Sequence, residues 1–108
     1  MTKVRLIRRG KWIAGFEIRG HSGYAQSGED IVCAAISAIS QTAVLGITEV
    51  LGIDAQCDAN DEAGSLSLLL PEVGDERAQA ILETMAIGLS NIQQQYPDFL
   101  RITSLKRR

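Results

Sequence analysis

The chain has 108 residues, 45% of them hydrophobic and 22% charged, with a formal net charge of -2. That length suits one domain with a core of its own and excludes two, while the slight acidic balance argues against bulk electrostatic attraction to nucleic acid. Two cysteines in a chain of this size do not make a disulfide framework, so Cys33 and Cys57 are expected to be free thiols. The opening Met-Thr-Lys-Val-Arg-Leu-Ile-Arg-Arg alternates charged and apolar residues and does not read as a secretory segment. No apolar stretch is expected to reach bilayer-spanning length, so the expectation is a cytoplasmic protein with no membrane partner.

Residues 3 to 9 and 12 to 19 read as two strands. In the second, Trp12, Ala14, Phe16 and Ile18 fall on one face by period-two alternation, with Ile13, Glu17 and Arg19 on the other. Gly10-Lys11 suits a two-residue hairpin turn with glycine first. Val4 and Leu6 are expected to share the buried face with Phe16 and Ile18, leaving Arg5 and Arg9 outside, where they discourage edge pairing or meet a substrate.

From Gly20 to Gly28 the chain is a loop, with Gly20, Gly23 and Gly28 lending it the freedom to move. Ser27 or Asp30 can cap the helix that follows, and Asp30 as N-cap makes Cys33 the third helical residue. That helix runs to about Leu51 and is apolar around much of its circumference, the mark of a central helix. Cys33, Ser37 and Ser40 lie close to one face; Ser37 either hydrogen-bonds near Cys33 or bonds back to a carbonyl of the previous turn.

Gly52 closes the helix. Residues 53 to 59 and 64 to 70 read as a second hairpin, with Cys57 in mid-strand as a small filler of the core or the sheet surface. Asp75 is the expected N-cap of an amphipathic helix reaching about Gln95, ended by Tyr96-Pro97-Asp98; residues 99 to 105 form a last strand. The order ββαββαβ predicts an α+β fold: one mainly antiparallel sheet with two helices on one face and the other face partly open. A dimer is the expected cover for any apolar surface left there.

The only histidine, His21, precedes Cys33 by twelve residues. A thiol near a helix start lies close to unpaired backbone N-H groups and the positive end of the helix dipole, both of which favour thiolate, and His21 alone can serve as its base. Asp30 either orients that imidazole or simply caps its helix, and Tyr24 either lines a substrate groove or anchors the loop. A zinc site drawn from His21, Cys33, Cys57 and Asp30 has enough ligand types but no ligand spacing to fix it. An RNA-binding module would use the arginines of the first hairpin and the basic C-terminus, yet few aromatic residues are present to stack bases.

Gly20-His21-Ser22-Gly23-Tyr24-Ala25, followed by Gly28 and then Asp30-Ile31-Val32-Cys33-Ala34-Ala35-Ile36-Ser37, closely resembles the signature of the bacterial ribosomal-processing cysteine protease family, Prp. The resemblance implies a cytoplasmic, homodimeric endopeptidase that removes the N-terminal extension of large-subunit ribosomal protein twenty-seven. It carries His21 over as base and Cys33 as nucleophile. A groove for bulky hydrophobic and aromatic side chains near the loop is also implied. No cofactor, no metal and no direct nucleic-acid role are expected from it.

Overall fold

A computed structural model of the chain describes residues 1–20, 29–60 and 64–107. Strands β1 (Thr2–Arg9) and β2 (Trp12–Arg19) form the first hairpin, turned by Gly10-Lys11 with Gly10 at a φ of 60°. Helix α1 (Glu29–Leu45) continues into a π-helical turn, Gly46–Val50, and Gly52 at a φ of 66° ends it. Then come β3 (Gln56–Asn60), β4 (Ser65–Leu69), α2 (Glu76–Gln95) and β5 (Leu100–Arg107). The element order is the expected one.

The sheet runs β3-β4-β2-β1-β5 and is antiparallel except where β5 joins β1 in parallel. In this order β2 and β3 point the same way, as do β4 and β5, so each helix is a crossover between parallel strands. The two crossovers start from antiparallel strands and move in opposite directions across the sheet. A common right-handed sense therefore puts both helices on the same face. There Val4, Leu6, Phe16, Ile18, Leu68 and Leu100 of the strands meet Val32, Ile36, Ala43 and Ile47 of the first helical stretch and Ala78, Leu82, Met85 and Leu89 of α2.

Period two fails in β2 for an identifiable reason. Ile7 pairs with Gly15 and Arg8 with Ile13, so Ala14 is an extra residue bulging out of the ladder. The bulge turns Ile13, not Trp12 and Ala14, toward the helices, where it is 0% exposed. Its backbone finds partners on α2: the Ile13 N-H donates to Gln79 Oε1 at 2.8 Å, and Gln79 Nε2 donates to the Ile13 carbonyl at 2.7 Å. Gly15 lies so close to the Leu68 carbonyl that a Cβ there would collide with it.

Four further expectations are corrected. Helix α1 begins at Glu29, so Asp30 is an exposed first-turn residue and not the N-cap, and Cys33 is the fifth residue, just past that turn. The second hairpin starts at Gln56 and not at residue 53, because the Ala55 N-H is turned back onto the Ile53 carbonyl at 2.9 Å. The first helical stretch is not buried all round: Ile31, Leu45 and Val50 are exposed. Its span Asp30–Val50 is long and apolar enough to cross a membrane by length and composition, contrary to the sequence reading. In this fold that stretch sends Val32, Ile36, Ala43 and Ile47 into the core.

Candidate active site

Helical spacing sets one wall of a groove of about 510 Å³, where Cys33, Ser37, Gln41, Val44 and Leu45 follow one another along α1. Ile18 and Gly20 at the end of β2 line its base, and Asn60, Gly64, Ser65 and Leu66 of the second hairpin form the opposite wall. Gly20 is required by contact with that hairpin. Its N-H donates to the Gly64 carbonyl at 2.6 Å, and a Cβ on Gly20 would sit 2.9 Å from the same oxygen. The first glycine of the signature thus ties the beginning of its loop to the far wall of the groove.

Cys33 is half-buried and opens onto this groove. Its Sγ lies 3.6 Å from the hydroxyl oxygen of Thr2, which is 2% exposed. The sequence reading did not single out Thr2. Its signal was parity with Val4 and Leu6, which turns it to the helix side of β1. A hydroxyl there is a hydrogen-bonding partner for the sulfur, and one that donates once the sulfur is ionised.

The neighbouring serines divide. Ser40 is buried and donates to the carbonyls of Ile36 at 2.7 Å and Ser37 at 3.2 Å, so its hydroxyl serves its own helix. Ser37 lines the groove one turn after Cys33, and its hydroxyl accepts from Nε2 of Gln41, another groove residue, at 2.7 Å and does not bond back to a carbonyl. Asp30 is exposed and does not line the groove. His21, Gly23, Tyr24 and Gly28 lie outside the described residues.

Cys57 differs from Cys33 in exposure and in place. It stands exposed on the edge strand β3, outside the groove, with its thiol 3.7 Å from the Ala55 carbonyl. Desolvation against the sheet, and then the carboxylates of Asp54 and Asp58, push its pKa up and hold it as a neutral thiol. Among the described residues no three His, Cys, Asp or Glu side chains gather where they could hold a metal ion.

The family model described as "Cysteine protease Prp" matches residues 1–101. The ribosomal processing cysteine protease Prp of Bacillus subtilis is 34% identical over 104 residues, covering 91% of this chain and 93% of that protein. Its Staphylococcus aureus counterpart is 30% identical over 86 residues, 77% of this chain and 78% of the relative. Among solved structures, SMU.848 from Streptococcus mutans superposes with a TM-score of 0.83 at 28% identity, covering 99% of this chain and 96% of that one. The S. aureus protease Prp in complex with a substrate peptide gives a TM-score of 0.90, covering 97% of this chain and all of the other; at 24% identity it establishes the shared fold. With the family model spanning nearly the whole chain, and Cys33 of the signature facing an open groove, the chain belongs to the ribosomal-processing cysteine protease family Prp.

Proposed function

We propose that Cys33 is the nucleophile and His21 the general base and acid of an endopeptidase that removes the N-terminal extension of large-subunit ribosomal protein twenty-seven, in the cytoplasm and as a homodimer. The observation that carries this reading is that Cys33, and not Cys57, opens onto a groove that Gly20, the residue bonded to His21, also lines. Val44, Leu45 and Leu66 give that groove apolar walls suited to bulky side chains of an extended peptide. The exposed Ile31, Val50 and Ile87 on the helical layer supply apolar surface for a second copy to cover.

In the reaction His21 takes the Cys33 proton and the thiolate attacks the scissile carbonyl carbon, forming a tetrahedral oxyanion. As the oxyanion collapses, the C-N bond breaks and the imidazolium gives its proton to the leaving amine. Water, deprotonated by the same imidazole, then hydrolyses the thioester and regenerates the thiol. The buried Thr2 hydroxyl stabilises the negative sulfur through each return to thiolate.

The decisive experiment is incubation of the protein with the extended ribosomal protein, followed by mass measurement of the fragments. One cut releasing the N-terminal extension is expected from the native chain and none from Cys33→Ala or His21→Ala. Full cleavage by Cys33→Ala would end the reading. Sedimentation of the native chain at twice the monomer mass is expected for the homodimer, and a monomer at working concentration would remove that part of it.

A further inference from the structure

The face of the sheet turned away from the helices carries a charge pattern that the net charge conceals. Strand register sets Arg19, Lys3 and Arg101 side by side on β2, β1 and β5, and Ser65 and Asn60 continue the row to the opposite edge. In the next row Arg5 lies between Glu17 and Thr103. Lys3, Arg5, Arg19 and Arg101 all border a shallow depression of about 110 Å³, and all four are exposed. Among the described residues none of the four has a carboxylate within ion-pair distance, although Glu17 is opposite Arg5 in register. Like charges directly opposite one another on neighbouring strands destabilise a sheet. Three abreast on adjoining strands are therefore a cost to folding that a solubilising role does not require.

Neighbouring strands lie about 4.8 Å apart, so the row of three cations spans roughly 10 Å, a width that fits one phosphodiester strand and not a duplex. The two rows contain no apolar side chain, and so lack the central apolar anchor on which protein partners depend. Phe16 faces the core, and among the described residues no aromatic lines the depression to stack a base. Arginine guanidinium groups match phosphate oxygens with two parallel N-H donors each. We propose that this face binds the phosphodiester backbone of single-stranded RNA through Lys3, Arg5, Arg19 and Arg101, without base specificity and independently of the Cys33 groove on the other side of the sheet.

The test is fluorescence anisotropy of a labelled oligouridylate with the full chain across 50 to 200 mM salt, about four phosphate contacts being expected to give a slope of roughly -2.8 in log K against log salt, or an affinity loss of about 50-fold. Lys3→Ala/Arg101→Ala is expected to halve that slope to roughly -1.4 while leaving peptide cleavage at the native level. The charge-keeping pair Lys3→Arg/Arg101→Lys is expected to retain the native slope, and it decides the matter if the alanine pair fails to fold. No binding by the native chain would overturn the proposal, as would an alanine pair with an unchanged slope or a charge-keeping pair that loses it. An oligoglutamate of equal charge that binds as tightly as the oligouridylate would overturn it in favour of an acidic protein partner. Loss of cleavage in Cys33→Ala with RNA binding intact keeps this surface and the catalytic reading separate.

Discussion

The chain contains the same strand-strand-helix sequence twice, and the two copies have gone different ways. The first hairpin occupies the middle of the sheet, and its helix carries a half-buried cysteine over a groove. The second hairpin ends at an edge strand, β3, whose residues are all exposed, and its cysteine is held neutral by desolvation against the sheet and then by nearby carboxylates. The helices differ as well. In α2 Asp75 closes the N-terminus, accepting from the N-H groups of Arg77 and Ala78. Where the first half places Cys33, the second supplies supports: the groove wall at Asn60, Gly64 and Leu66, and the Gln79 amide that holds the Ile13 backbone beside the bulge. The comparison teaches that, on the proposed reading of Cys33, one repeat of the pattern carries the nucleophile and the other supports it.

Exchanging the roles of the two thiols is the strongest way to break this division. Cys33→Ala is expected to lower peptide cleavage by on the order of 10³-fold or more, and Cys57→Ala to leave it within twofold. Comparable losses from both would show that β3 belongs to the site. Next in size is the link between the halves. Gln79→Ala removes both partners of the buried Ile13 backbone, with an expected loss of about 2 to 4 kcal/mol in denaturant unfolding. A loss under about 0.5 kcal/mol would mean that water or another side chain takes over both bonds.

Much of this was legible in the residues, and the exceptions have physical causes. Element order and the cap at Asp75 are local properties, written in alternation, helical spacing and side-chain chemistry. Cys33 was legible because its neighbours carry a signature. The bulge at Ala14 was not, since it depends on Gln79, a partner far along the chain whose spacing announces nothing. Thr2 escaped notice for the same reason: its importance lies in a contact across thirty-one positions of sequence. Net charge could not show the basic row on the sheet. It averages over faces, and the cations of Lys3, Arg19 and Arg101 share a row only once β5 has joined β1 in parallel.

The contact between Thr2 and Cys33 sharpens the picture of the first half as the reactive one. Thr2→Val keeps the shape and removes the hydroxyl, so iodoacetamide alkylation of Cys33 at pH 7 is expected to slow severalfold, and Thr2→Ser to restore it. A merely structural role predicts equal unfolding midpoints shifts with no change in alkylation, and no recovery specific to serine.

The smallest expected effect belongs to the scaffold half. The Arg77 guanidinium beside Asp75, and then the N-H groups of Arg77 and Ala78, hold its carboxyl at about 2, below its ordinary 3.8. Because the folded value is the lower one, ionised Asp75 contributes stability above pH 3.8, and that contribution drains away as the pH falls toward 2. Asp75→Asn keeps a capping oxygen but not the charge. The native chain is therefore expected to resist urea slightly better than this variant at pH 7, with the two midpoints converging near pH 2. Solvent around the pair keeps the difference small. A gap that persists unchanged into acid would show that the cap works through hydrogen-bond geometry alone, without help from the carboxylate charge.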